Sequence, residues 1–435
     1  RQKAAYEARD RAIDKFNLSE DDLPYFRTLH SLAFRRLGMK KENVMQRKHY
    51  ADLGKKINMR LDYNEYDQEQ TGLFTTNSEY LRIIQLAKLR GTTPEQQYNL
   101  QEHTQDLSVK ELKILSNEIE AYKKEYGLID FNDMITRFTK SEACPKFDVV
   151  FIDEAQDLSR MQWDMATALM HNSDHSFIAG DDDQAIFRWA GADVDSFITQ
   201  KGKVLNLTQS YRIPRAVHDL AMGIVKRISN RIYKEWQPRT HEGMLSYYND
   251  FQEIDMRTGT WLVLARTRYM LNDLENVLYS KGLYYHNKFK KGYEKDLYEA
   301  VIDWEEFRKG KAINYDQLKR IVSYTSPKHY EKTRLNYLNK DGLFFIEDTY
   351  NNKGLMTKAV WYEAFDAAPQ KQVQYIRKMR KNGEILNKAP RILLSTIHGV
   401  KGGEAQNVIL LTDLSLNTQK GYDRNPDDEN RLFYV

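Results

Sequence analysis

The sequence predicts an α/β protein built on parallel sheets, with long helical stretches inserted into it. Three observations carry that expectation. Residues 149–152 (Val-Val-Phe-Ile) and 176–179 (Ser-Phe-Ile-Ala) are short, largely apolar runs, each delivered into an acidic loop. Strands buried on both faces read as unbroken runs of this kind. The residues between them leave room for one helix and its turns, the usual crossover between parallel strands. Further strand-like runs at 204–207, 261–265, 391–395 and 407–411 alternate with helix-like segments, whereas residues 37–126 contain no convincing strand.

The strandless region carries its own helix signals. Thr93-Pro94-Glu95-Gln96 and Ser108-Val109-Lys110-Glu111 both read as capping-box starts, the first with Pro at the first helical position. After Ser108, Leu112, Leu115, Ile119, Tyr122 and Tyr126 recur at spacings of three and four, and Gly127 closes the helix. That stripe predicts core packing rather than a partner surface. A second insertion starts near Asn287, with helices expected over 297–308, 315–324, 330–339 and 371–381. The last carries Lys371, Arg377, Lys378, Arg380 and Lys381 opposite Val373, Ile376 and Met379. Such a face suits either duplex phosphates or plain solvation. No internal repeat or low-complexity tract is visible.

The chemistry sits at the strand ends. The run 149–152 leads directly into Asp153 and Glu154, and ligands of parallel sheets bind outside the carboxyl ends of strands. Two adjacent carboxylates there suit nucleoside triphosphate hydrolysis, one holding Mg²⁺ and the other orienting and deprotonating water. They equally suit a strand that simply ends at solvent. Gln184 follows the second strand, and a neutral amide beside the acidic pair can sense a phosphate without competing for the metal. Trp189, five residues on, is either core or a stacking platform.

These residues fall within a larger pattern. Thr28-Leu29-His30-Ser31-Leu32, Ile129-Asp130-Phe131-Asn132-Asp133-Met134 and Phe151-Ile152-Asp153-Glu154-Ala155-Gln156 are followed by the block that runs from Gly180 to Ala192. Leu207-Thr208-Gln209-Ser210-Tyr211-Arg212, then the block from Ser395 to Glu404, then Glu429-Asn430-Arg431-Leu432-Phe433-Tyr434-Val435 complete the series. In order, these seven blocks resemble those of superfamily 1 helicases of the UvrD/Rep type, including DExQ and GDxDQxIYxWRGA. The resemblance implies two RecA-like parallel-sheet motor domains, each with a mainly helical insertion. The first would comprise residues 1–36 and 127–200 with its insertion at 37–126; the second, 201–288 and 389–435 with its insertion at 289–388.

The same resemblance implies roles. Asp153 would hold Mg²⁺ and Glu154 would act as general base, with Gln184 reporting on the γ-phosphate of ATP. Arg212 would act as an arginine finger, since its guanidinium is always charged and forked. Tyr211 would stack on adenine and Glu404 would accept from the ribose. In isolation, Tyr211-Arg212 also reads as a surface turn before Pro214. Thr28, His30, Trp189 and His398 are the DNA-contacting candidates; His398, in a Gly-rich loop, suits a backbone-fixing role equally. Ala190 stands where the family usually has Arg, so one strand contact is expected to be lost or supplied elsewhere, as by Arg188. Gly403 stands where Leu is common, as expected of a divergent branch, phage or otherwise.

The implied activity is ATP-dependent translocation on single-stranded DNA with duplex unwinding, in the 3′ to 5′ direction, at single/double-strand junctions. No GxxxxGK[ST] phosphate loop occurs in these residues. Only 27 residues precede Thr28, and the final block stops short of its arginine. The expectation is therefore an interior piece of a longer protein, inactive as an ATPase by itself. A different class, a non-catalytic single-stranded DNA-binding or scaffold module of the same ancestry, is the alternative. A helicase–nuclease subunit would need a further acidic domain, for which nothing here argues.

Composition narrows the classes. With 29% charged residues and 41% hydrophobic ones, the chain can fill several cores, and no apolar stretch approaches the roughly 20 residues of a membrane span. One cysteine, Cys144, excludes an intrachain disulfide and a Cys-rich zinc or iron–sulfur site. A cytoplasmic or nucleoid-associated setting, in a bacterial or phage-infected cell, is expected. Net charge of +4 does not mark a tail-driven nucleic-acid binder. It fits a motor whose phosphate contacts break at each step, and many other enzymes too.

Overall fold

The structure, a computed structural model, describes residues 2–62, 76–103, 106–290, 295–331, 338–386 and 388–435, with side chains from residue 9 onward. The chain forms two compact units, residues 1–243 with 422–435, and residues 244–421. Each is a mixture of helices and parallel strands.

In the first unit, β1 (Phe147–Ile152) pairs in parallel with β2 (Ser173–Ile178), Phe147 opposite Ser173 and Ile152 opposite Ile178. The expected crossover helix lies between them as Arg160–His171, started by a capping box between Ser159 and Gln162. Val150 and Ile152 bury against Met165, Ala166 and Leu169 of the core around it. The other sheet face departs from the expectation of strands buried on both sides. Phe151 is 75% exposed and stacks face to face on Phe177 at 4.9 Å. The alternation of a strand puts successive side chains on opposite faces, and here only one face is packed.

The strand expected over 204–207 does not form. Leu207 is 93% exposed and Val204 and Leu205 are also bare. An apolar run becomes a strand only where a neighbour takes its peptide groups. The first such contact comes later, where Ser210 N–H donates to Gln237 O at 2.8 Å and Gln237 N–H donates to Thr208 O at 2.7 Å.

Residues 37–126 contain no β-strand among the described residues. Helices Arg47–Lys56, Glu79–Arg90, Pro94–Asn99 and Val109–Tyr126 enclose Tyr50, Leu53, Leu81, Leu112, Leu115 and Ile119. Thr93 and Gln96 form the expected capping box. At Ser108 only half of the expected box forms: its side chain accepts from Glu111 N–H, but its own N–H donates to Tyr80 OH, whose hydroxyl donates to the Glu111 carboxylate instead. Gly127 ends that helix at φ 63°. Tyr126 corrects the stripe: it lies at the exposed end of the helix, against Lys56 and Tyr122 rather than in the core.

In the second unit, β3 (Trp261–Ala265), β4 (Tyr285–Asn287), β5 (Ile392–Thr396) and β6 (Asn407–Leu410) form an all-parallel sheet of order β4-β5-β3-β6. β4 escapes sequence reading because it is short and half polar. Helices Lys295–Arg308, Tyr315–Ser323 and Gln370–Lys381 form as expected. Most of the expected helix over 330–339 lies outside the described residues. Trp304 is fully buried and its indole N–H donates to Ala359 O at 3.0 Å. The helix Gln370–Lys381 buries Val373, Ile376 and Met379 and turns its five basic side chains to solvent.

Helix Pro426–Tyr434 is tied down within the first unit by Asp427. Its carboxylate accepts from Ser229 N and Oγ and from Asn230 N, at 2.9, 2.8 and 3.1 Å. Burial pushes this carboxyl up, yet the donors and Arg431 outweigh it and hold it below the usual aspartate value. A depressed folded value means a stabilisation present above the unfolded value of about 3.9 and lost as pH falls through the folded one. Denaturation of the first unit followed from pH 7 down to pH 2 should therefore show an acid-sensitive loss of stability. Asp427→Asn should be less stable at pH 7 and flatten that part of the pH profile.

Candidate functional site

The acidic tip of β1 is built by backbone and amide contacts. Ala179 N–H donates to Ile152 O at 2.8 Å and Ala155 N–H donates to Ala179 O at 3.0 Å, so the two strand exits stay side by side. The chain then turns sharply at Glu154, which holds the left-handed conformation with φ 53° and ψ 39°. A non-glycine residue there is uncommon and costs of order 1–3 kcal/mol. Asp153 Oδ1 accepts from Glu154 N–H at 2.9 Å, and both residues are exposed at the strand tip.

Gln156, buried just after the turn, joins this tip to the loop after β2. Its Nε2 donates to Glu154 Oε2 at 2.7 Å, and its Oε1 accepts from Asp181 N–H at 3.0 Å. Gly180 makes the room: a Cβ there would meet Gln156 Oε1 at 2.5 Å and the Phe197 ring at 2.9 Å. Asp181 Oδ2 in turn accepts from Gln184 Nε2 at 2.8 Å. Glu154 and Gln184 are thus brought together through Gln156 and Asp181. Sequence reading placed Gln184 beside the acidic pair but missed the amide that joins them.

Asp182 and Asp183 lie beneath this loop, fully buried. Arg231 grips Asp183 with two bonds of 2.7 and 2.6 Å. Arg431, also fully buried, donates to Asp182 O at 2.9 Å and to Asn230 O at 2.5 Å. Among the described residues, two triplets of carboxylates have spacing that suits a metal, Glu120/Asp130/Asp133 and Asp181/Asp182/Asp183. Each is already filled by lysine ammonium groups, Lys88 and Lys123 in the first and Lys234 in the second. Burial alone would lower Lys88, but Asp130, Asp133 and Glu120 raise it far above the ordinary value. The exposed carboxylate of Asp153 is the better fit to Mg²⁺, a hard cation that keeps several of its waters.

Around Trp189 the structure opens a groove of about 600 Å³. Trp189 is 55% exposed, and Arg90, Arg160 and Arg188 line the same groove. Arg90 donates to Gln97 and to Arg188 O, Arg160 to Ser196, and Arg188 pairs with Asp428 at 3.6 Å. Ala190 is buried in the core, so Arg188 is the basic neighbour of the indole that reaches the groove. Arg90 and Arg160 come from separate helices and carry no local motif, which is why sequence reading missed them.

The remaining candidates are placed as follows. Thr28 caps helix Leu29–Arg36, its Oγ1 accepting from Ser31 N–H. His30 is buried and stacks on Phe131 at 3.9 Å. Tyr211 is 84% exposed and Arg212 is exposed beside it. His398 and Glu404 belong to the second unit, in the loop between β5 and β6. There Gly399 leaves no room for a side chain, since a Cβ would meet Ser395 Oγ at 2.5 Å.

Comparison with known proteins places the first part of the chain. Residues 1–204 match the family described as UvrD/REP helicase N-terminal domain. The chain is similar to the ATP-dependent DNA helicase PcrA of Bacillus subtilis (strain 168), with 27% identity over 215 residues, 45% of this chain and 28% of that protein. It is also similar to PcrA of Staphylococcus aureus (strain NCTC 8325 / PS 47), with 28% identity over 142 residues, 29% of this chain and 20% of that protein. The matches span less than a third of these relatives.

The Gly180 contact is open to test. Gly180→Ala should push the Gln156 amide off both partners and destabilise the first unit by about 1–3 kcal/mol, as overpacking does. Thermal denaturation checks the loss, and Gln156→Ala introduced into the Gly180→Ala chain should change stability less than it does alone.

Proposed function

We propose that this chain, whose residues 1–204 match the UvrD/REP helicase N-terminal domain, is of the UvrD/Rep type of superfamily 1 and that its parent protein is an ATP-dependent DNA translocase and helicase. The observation that carries the reading is the link from Glu154 through Gln156 and Asp181 to Gln184. It sets a carboxylate base and a neutral amide at the exits of adjacent parallel strands, where phosphate chemistry is done. When bound, Mg²⁺ would draw charge from the phosphate oxygens of ATP, with Asp153 as its protein ligand.

In this reading Glu154 takes the proton from the attacking water and Gln184 hydrogen-bonds at the γ-phosphate position. Arg212 supplies a fixed positive charge for the transition state, Tyr211 stacks on the base, and Glu404 accepts from the ribose hydroxyls. Two RecA-like motor domains with helical insertions, divided as the motif order implies, would work against each other during turnover. The strand would lie in the Trp189 groove, with a base on the indole and phosphates near Arg90, Arg160 and Arg188. Thr28, His30 and His398 would shape the strand path. Movement 3′ to 5′ and engagement of single/double-strand junctions complete the proposal.

Two measurements on the complete protein test it. Glu154→Gln should lower strand-stimulated ATP hydrolysis by roughly 10²–10⁴-fold while nucleotide binding survives. Turnover at the original rate would remove Glu154 from this role, and strand binding with no hydrolysis in the unmutated protein would favour a non-catalytic binding module. Trp189→Ala should weaken binding of single-stranded DNA by about 1–3 kcal/mol with little change in its salt dependence, because a stack and not a phosphate contact is lost. Arg160→Ala should instead flatten the salt dependence.

A further inference from the structure

Asp181, Asp182 and Asp183 are consecutive, and one carboxylate oxygen of each lies within 4.8 Å of the others. Three such groups cannot stay ionised together without a cation among them. Lys234 supplies it. Its Nζ stands 2.8 Å from Asp181 Oδ1, 2.5 Å from Asp182 Oδ1 and 2.9 Å from Asp183 Oδ2. Burial works against the ammonium, but the carboxylates outweigh it and hold Lys234 well above the ordinary lysine value.

The three aspartates do not depend on Lys234 equally. Asp183 keeps the forked Arg231 contact, and Asp182 keeps the Ile232 N–H at 2.8 Å. Asp181 is the least buried of the three and the one that reaches the proposed site. Its side chain orients the Gln184 amide, and its peptide N–H holds Gln156, which holds Glu154. Lys234 also lies three positions before Gln237, the residue whose backbone brackets Thr208 and Ser210 ahead of Tyr211 and Arg212. One short segment therefore touches the loop of Gln184 at one end and the loop of Arg212 at the other.

We propose that Lys234 is a positioning residue for ATP hydrolysis: through Asp181 it holds Gln184 and Glu154 in register, and its segment ties that register to the loop of Arg212. The proposal rests on the reading of Glu154 and Gln184 as parts of a hydrolytic site. A buried ion pair serving stability alone would leave turnover and loop order untouched once the protein had folded.

The test uses the complete protein with Lys234→Met and Lys234→Arg. It measures strand-stimulated ATP hydrolysis, and separately hydrogen exchange at the amides of residues 181–186 without nucleotide. Lys234→Met should lower kcat by about tenfold or more, with KM for ATP changed by less than about twofold. The amides of Asp181 and Gln184 should lose protection while those of β1 keep it. Lys234→Arg should restore most of both. A Lys234→Met protein with the original kcat and the original exchange overturns the proposal. Should that variant fail to fold, Asp181→Ala keeps the peptide N–H but removes the oxygens that accept from both Lys234 and Gln184; it should still lower kcat and free Gln184, and unchanged values overturn the proposal equally. Glu154→Gln separates the two layers. Its full activity would sink the hydrolytic reading whatever the exchange data say, whereas its inactivity beside an unaffected Lys234→Met sinks the positioning role alone.

Discussion

The candidate site depends on one small space, the gap left by the missing side chain of Gly180. Into it fits the Gln156 amide, which bonds to a residue at each of the two strand exits. An amide suits the position because it is donor and acceptor at once. The donor end satisfies a carboxylate and the acceptor end satisfies a peptide N–H, so neither buried polar group is stranded. A carboxylate in its place would face Glu154 with like charge, and an apolar side chain would leave Asp181 N–H without its partner. The left-handed turn at Glu154 is tolerable on the same ground, since strain of this kind persists only where the surroundings over-determine it.

A second rule governs the charges beneath the surface. The acidic triplets at Glu120/Asp130/Asp133 and at Asp181/Asp182/Asp183 each take lysines from a different part of the chain. In the first, Lys88 and Lys123 lie on helices of the inserted region and lock the start of helix Phe131–Lys140. In the second, Lys234, Arg231 and Arg431 arrive from two later segments. Breaking one partner of such a cluster strands the others in low dielectric, which costs far more than the pair contributes when whole. These contacts therefore fix which segments meet more than they add to overall stability.

What could be read from the chain alone followed from local chemistry. Apolar runs located five of the six strands among the described residues, capping residues located the helix starts at Thr93 and Ser108, and adjacent carboxylates at a strand end located the tip of β1. The misread elements depend on partners. Residues 204–207 have the composition of a strand but no neighbour to complete it among the described residues, and Tyr126 keeps the helical spacing past the point where the core ends. β4 is the reverse case, since a polar triplet becomes a strand because β5 lies alongside it. Gln156 and Arg431 stand in motif blocks without an assigned role, and Lys234 stands in none, because their significance is a distance and no spacing along the chain encodes it.

Exposure then divides the first unit's residues in a consistent way. Asp153, Glu154, Trp189, Tyr211 and Arg212, which carry the proposed chemistry, stand exposed. Gln156, which bonds to Glu154, is buried, and so are Asp182, Asp183 and Arg431, which bond to Arg231, Lys234 and one another beneath the loop after β2. Groups that must meet a nucleotide or a strand have to stay available to solvent, so they cannot be steadied by packing. They can be steadied only by bonds to atoms that are themselves packed. A glutamate on a strained turn and a glutamine on a short loop would each sample many orientations if left alone. Tied to a buried amide and to an aspartate held by a half-buried ammonium, they keep one. The network is polar because its ends are, and an apolar core at that place could hold the strands together without aiming anything.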